Sequence, residues 1–164
     1  MIIDASIKHA QQLSDIYNYY IAHTTVTFEE KPTTANDFEN RIQETSAKFS
    51  WLVYELKGEV LGYAYATDWK SRCAYKHSVE TSIYLRNGEE GKGIGKKLYR
   101  ELLLILKEKN YHTAIGGIAL PNLKSVALHE NLGYTKVAHF SEVGYKFNKW
   151  VDVAYWQLKL DTFV

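Results

Sequence analysis

The segment RNGEEGKGIGKKLYRELLLIL, Arg86 to Leu106, constrains this chain more than any other. A turn-rich stretch runs into the glycine loop Gly91-Lys92-Gly93-Ile94-Gly95. That loop runs without a break into an amphipathic helix with Lys92, Lys96, Lys97 and Arg100 near its start. Small residues around free N–H groups at a helix start form a socket for an anion. It is not the nucleotide P-loop, because Glu90 stands where a glycine is needed and Lys97 where Ser or Thr is needed. It is not the dinucleotide fingerprint either, since the third glycine falls at the wrong spacing. On spacing alone, a solvated glycine turn and an anion socket both remain open.

Periodicity places this loop within a larger order. Residues 2–5 read as a short strand, and residues 8–22 as a helix with Leu13, Ile16, Tyr17, Tyr20 and Ile21 on one stripe. Residues 24–32 read as an extended loop. Thr34 and Asp37 mark a helix start, with Phe38 and Ile42 on its apolar face. Residues 51–69 read as a hairpin turning at Lys57-Gly58, and 77–85 as a further strand. A helix over about 92–109 turns Ile94, Leu98, Leu102 and Ile105 inward. Then come an apolar strand (112–120), a short helix opened by Pro121-Asn122 and closed by Gly133, and strands near 135–146 and 150–160. This order predicts a mixed α/β (α+β) sandwich: one sheet of about seven strands with about four helices on its two faces.

The 164 residues suit one domain spanning 1–164. A hydrophobic fraction of 46% and an aromatic fraction of 14% describe a packed chain rather than a disordered one. A net charge of +1 gives no general drive toward nucleic acid or anionic membranes. The single cysteine, Cys73, has no internal partner, which fits a reducing compartment. The first residues have no signal-peptide pattern, and no apolar run is long enough to span a membrane, so a cytoplasmic protein is expected. His9, His23, His77, His112 and His139 show no metal-ligand spacing, and no metal is expected.

Several fragments in this order and spacing carry a family resemblance. They include Ile16-Tyr17-Asn18-Tyr19-Tyr20, Thr27-Phe28, Trp69-Lys70-Ser71-Arg72, Val79-Glu80-Thr81, Leu120-Pro121-Asn122, His129-Glu130-Asn131-Leu132-Gly133-Tyr134 and Gly144-Tyr145-Lys146-Phe147. With the glycine loop, they resemble the GNAT superfamily of acetyltransferases nearly end to end. The match is strongest to phosphinothricin acetyltransferase and the methionine sulfoximine and sulfone acetyltransferases. The resemblance implies a mostly antiparallel GNAT-like sheet and acetyl-CoA as cosubstrate, with the diphosphate on Glu90, Gly91, Lys92, Gly93, Ile94, Gly95 and Lys96. Glu90 departs from the family's usual Gln or Arg. The pantetheine arm is implied along Ser82, Ile83, Tyr84 and Leu85, where an extended ligand can pair like a strand. Asn122 and Ser125 are implied as further cofactor contacts.

Acetyl transfer to an amine needs a held thioester, a base for the amine, donors for the developing oxyanion and a proton for the leaving thiolate. The resemblance makes Glu80 the base. By alternation it shares a strand face with Ser82 and Tyr84, while Val79, Thr81, Ile83 and Leu85 share the other. Taken without the resemblance, a solvent-facing carboxylate is the simpler reading of Glu80. His129 stands where many relatives carry a proton-donating tyrosine. A helical residue bonded only to its neighbours is an equal alternative. Asn122, Ser125 and His129 fall on one helix face.

Phe28, Trp69, Arg72, Tyr75, Tyr145 and Lys146 are expected around the acceptor, with Arg72 taking a carboxylate in a two-pronged contact. Together they suggest a small amino acid or analogue acetylated on its α-amine. Phe147 replaces a histidine of the herbicide-inactivating members, which points to the broader group. A homodimer is implied, with the final strands as interface. The alternatives are an acceptor that is a protein N-terminus, lysine or polyamine, or a non-catalytic CoA sensor.

Overall fold

Two hairpins and one crossover build the sheet. A computed structural model describes residues 1–164. Strand β1 (Ile2–Asp4) leads through a 3-10 turn into helix α1 (Ala10–His23), followed by helix α2 (Ala35–Phe49). Strands β2 (Trp51–Leu56) and β3 (Glu59–Asp68) form the first hairpin. Strand β4 (Ser78–Leu85), helix α3 (Ile94–Glu108) and strand β5 (Thr113–Ala119) form the crossover. Helix α4 (Leu123–Asn131) precedes the second hairpin, β6 (Thr135–Lys146) and β7 (Lys149–Lys159). The seven strands lie in the order β1-β2-β3-β4-β5-β7-β6. Only β4 and β5 run parallel, as a strand–helix–strand crossover requires.

Local chemistry explains the boundaries. Thr34 caps α2 by accepting from the Asp37 N–H at 3.2 Å, while Asp37 Oδ2 accepts from the Thr34 N–H at 2.7 Å. The β2–β3 turn has Lys57 at φ 51° and Gly58 at φ 82°, the mirror-image geometry that matches strand twist. Phe147 (φ 51°) and Asn148 (φ 58°) do the same between β6 and β7.

Each face of the sheet carries its own core. On one, α1 and α2 bury Leu13, Tyr17, Phe38 and Ile42 over Trp51, Val53 and Tyr63. On the other, α3 buries Leu98, Tyr99, Leu102, Leu103 and Leu106 over Ala64, Val79 and Ala114. Ile105, expected inward, is only half-buried, because Leu103 and Leu106 take the side of α3 that faces the sheet. No helix is long and apolar enough to cross a membrane.

Candidate active site

Strands β4 and β5 form a fork. They pair only from Ser78↔Thr113 to Glu80↔Ile115, while β4 continues to Leu85 against β3 alone. Glu80 therefore stands at the closed end of the fork. The Arg86 N–H donates to the Leu61 carbonyl at 2.9 Å and the Trp69 N–H to Ser78 at 3.4 Å, so alternate residues from Ser78 to Arg86 turn their main chain toward β3. Ser82 and Tyr84 are thus committed to β3, and Ile83 and Leu85 face the gap. The Leu85 carbonyl already accepts from the Tyr20 hydroxyl at 2.7 Å. The Ile83 N–H and carbonyl and the Leu85 N–H have no strand opposite them.

The glycine loop closes one side of this gap. Gly88, Gly91 and Gly93 have φ values of 87°, 79° and 79°, a region that costs any side chain but not glycine. Gly93 precedes the first turn of α3, and no side chain caps it. The Lys97 N–H is bonded to the Gly93 carbonyl at 3.2 Å. The preceding N–H groups of Ile94, Gly95 and Lys96 have no partner within the helix and point outward from its start. A Cβ at Gly95 would meet Leu85, Leu128 and Ile83 only in ordinary contact. Lys92 pairs with Glu89 at 3.0 Å. The Glu90 carboxylate accepts from the Gly88 N–H at 3.2 Å and so turns back onto its own loop. Lys96 is exposed and, with Arg100 and Asn131, lines a shallow 310 Å³ depression. Asn122 caps α4 by accepting from the Ser125 N–H at 3.1 Å.

On the other side of the fork, Glu80 opens into a cavity of about 460 Å³. Its walls are mostly apolar: Val26 and Phe28 from the loop after α1, Phe140 and Val143 from β6, and Val153 and Tyr155 from β7. Burial pushes the Glu80 carboxyl above the ordinary range, and the Lys70 ammonium partly opposes this. Burial, and then the nearby Glu80 carboxylate, push the Tyr155 phenol up. Gly117 makes room in front of Glu80, where a Cβ would lie 3.5 Å from Oε1 and 3.0 Å from the Tyr155 ring. Its neighbour Gly116 faces the opposite side of the sheet, where a Cβ would lie 2.4 Å from His129 Nε2. Adjacent strand glycines therefore seat the two candidate catalytic side chains on opposite faces.

The expected acceptor residues divide. Phe28 lines the cavity, with its ring against Gly144. Trp69 meets Tyr155 edge-on at 5.3 Å. Arg72 and Tyr75 are exposed on the turn before β4, outside the cavity walls. Tyr145 is exposed against Trp150, with ring centres 4.8 Å apart. Lys146 is buried, and its ammonium donates to the Thr27 carbonyl at 2.9 Å. It pins the loop that carries Phe28, and burial lowers its pKa.

Sequence reasoning misses five contributors. Lys70, 5.0 Å over the Trp69 ring, is the cation whose field reaches Glu80. Tyr155 lies on a late strand that shows no motif. Phe140 and Val143 depend on a break in register between Phe140 and Gly144. Asp152 holds that bulge: Oδ1 accepts from the Glu142 N–H at 2.8 Å, and Oδ2 contacts His139 Nε2 at 2.8 Å. Tandem glycines inside a strand were the one available signal.

His129 is 3% exposed, behind the sheet from Glu80. Its Nδ1 lies 2.8 Å from the Ser125 carbonyl and its Nε2 3.0 Å from the Tyr99 hydroxyl. Burial lowers its pKa, against a smaller opposing effect of the Ser125 contact.

A seven-stranded sheet, forked between two parallel strands beside an uncapped helix start, defines an acyl-CoA transferase fold. Residues 5–155 match the acetyltransferase (GNAT) domain, and the chain belongs to that family of N-acetyltransferases. It is 38% identical to the phosphinothricin N-acetyltransferase of Streptomyces viridochromogenes, over 87% of this chain and 78% of that one. It is 34% identical to the L-methionine sulfoximine/L-methionine sulfone acetyltransferase of Salmonella typhimurium, over 91% and 88% of the two chains. The solved structure of yncA from Salmonella typhimurium, with its cofactor acetyl-CoA, superposes with a TM-score of 0.95 at 30% identity, covering 100% of this chain and 95% of that one.

Proposed function

We propose that this enzyme transfers the acetyl group of acetyl-CoA to the α-amine of a small amino acid or analogue of the methionine sulfone, methionine sulfoximine and phosphinothricin type, with Glu80 as general base. The carrying observation is the half-buried Glu80 at the closed end of the fork, between a gap suited to an extended thioester arm and an apolar cavity suited to an acceptor.

The residues present fit the cosubstrate. The free N–H groups at the start of α3 suit a diphosphate, and the Ile83 and Leu85 edge suits a pantetheine amide. Acetyl-CoA supplies an acyl group already activated as a thioester. Glu80 takes a proton from the amine, and its raised pKa makes it a stronger base than an exposed glutamate. We expect Lys70, whose field reaches Glu80, to draw the acceptor carboxylate toward the cavity mouth, with the exposed Arg72 farther out on the same turn. No Lys or Arg lines the cavity itself, which favours a neutral side chain over one with a second anionic group. Methionine sulfone and sulfoximine are therefore preferred to phosphinothricin.

We also propose a homodimer. Strand β6 is a 12-residue edge of the sheet, and Val137, Phe140, Val143, Tyr145, Phe147 and Trp150 on this hairpin are all at least half exposed. A second copy would cover this edge.

The test is free-thiol release from acetyl-CoA with a panel of acceptors. Turnover with L-methionine sulfone above that with phosphinothricin supports the proposal. Turnover only with peptides or polyamines would replace the acceptor, and binding of acetyl-CoA without turnover would replace the enzyme reading with a sensor.

A further inference from the structure

Behind Glu80 lies a buried polar chain that joins three elements around the fork. Thr81 Oγ1 is 2.6 Å from the Tyr99 hydroxyl and 3.0 Å from the Tyr134 hydroxyl. Tyr99 Oη is 3.0 Å from His129 Nε2, and His129 Nδ1 is 2.8 Å from the Ser125 carbonyl. Thr81, Tyr99, Tyr134 and His129 are each less than 5% exposed, so every proton must be assigned within the chain.

The Tyr99 hydroxyl also lies 3.2 Å from the Thr81 carbonyl and Thr81 Oγ1 3.3 Å from the Ile115 carbonyl, and both are longer than the competing side-chain contacts; one assignment uses all the shorter ones. A carbonyl oxygen only accepts, so Nδ1 of His129 carries the proton. Its surroundings disfavour an imidazolium. The ring is packed by Tyr99 from α3, Tyr134 after α4, Gly116 from β5 and Ser125 from its own helix, and no carboxylate pairs with it. Nε2 is then a lone pair, and Tyr99 donates to it. The 2.6 Å separation between Tyr99 and Thr81 needs a proton, which Thr81 supplies, and Tyr134 donates to Thr81. The direction runs Tyr134 to Thr81 to Tyr99 to His129.

We infer that His129 is a positioning residue, not the proton donor to the leaving thiolate: it is the terminal acceptor of a directed hydrogen-bond chain. That chain locks Thr81, the residue after Glu80, to α3, whose first turn forms the anion socket. Thr81 Oγ1 also lies 3.3 Å from the carbonyl of Ile115, the last β5 residue paired before the fork opens. The chain therefore sets the distance between base and cosubstrate. In the transfer itself the C–N bond forms, the C–S bond breaks with its electron pair on sulfur, Glu80 takes one amine proton, and sulfur takes a proton from solvent.

The kinetic arm of the test rests on the acetyl-transfer reading; the spectroscopic arm does not. In His129→Gln, the carboxamide oxygen can accept from Tyr99 but cannot deliver an acid proton. His129→Leu should lower kcat by about tenfold with acetyl-CoA affinity retained, and His129→Gln should recover most of that loss. Gln as impaired as Leu in a folded protein would overturn the inference, as would no loss in Leu. Should either variant fail to fold, nitrogen-15 NMR of the unaltered protein decides. A neutral ring protonated at Nδ1 between about pH 6 and 8 supports the inference, and a proton on Nε2 overturns it.

Discussion

The burial of Glu80 costs stability. Its folded pKa lies above the unfolded one, so unfolded chains lose this proton first as pH rises, and stability falls across that window. Above it the penalty is fully present. Glu80→Gln should therefore raise the melting temperature at neutral pH by about 1–3 °C while lowering turnover, as read by calorimetry beside an activity assay. No gain in melting temperature would mean that the carboxylate is better solvated than its burial implies. Lys70 acts in the opposite direction. Removing its charge in Lys70→Gln should raise the Glu80 pKa further and shift the rising limb of the pH–rate profile to higher pH. Arg72→Gln, farther along the same turn, should leave that limb in place and raise only the acceptor KM.

At the scale of elements, the start of α3 and the fork do separate work. Gly93 has open space around its Cβ position, but its φ of 79° strains any other residue. Gly93→Val should therefore weaken acetyl-CoA binding by about tenfold through a distorted first turn, measured by titration calorimetry, with the fold intact. Unchanged affinity would separate the loop from the diphosphate. The glycine loop, the capped start of α2 and both hairpins were legible because each rests on local chemistry in adjacent residues. The fork was not, because β4 and β5 come from stretches about thirty residues apart, and where their pairing ends is a tertiary outcome with no local signal. Lys146 misled for a related reason. Lysine is expected at the surface, and only the tertiary fold brings the Thr27 carbonyl to its ammonium.

Across the whole molecule, the cavity beside Glu80 and the exposed edge share one hairpin. Phe140 and Val143 line the cavity, and Tyr145 and Trp150 lie exposed farther along. If the proposed homodimer forms through this hairpin, Trp150→Glu should give a monomer in sedimentation experiments where the unaltered protein gives a dimer, and should raise the acceptor KM. A protein that sediments as a monomer before substitution would remove the dimer. The fold class was readable from element order alone. The cavity beside Glu80 was not, because its walls come from five separated stretches, four strands and the loop after α1, brought together only by the fold.

Glu80 as the base that frees an α-amine for acetylation is tested most directly by the pH dependence of kcat/KM for L-methionine sulfone, with unaltered protein and Glu80→Gln side by side. The unaltered protein should show a limb rising with pH, with its midpoint above the ordinary glutamate value of about 4.3. Glu80→Gln should lose that limb and at least about a hundredfold in rate. Identical profiles for the two proteins would contradict it.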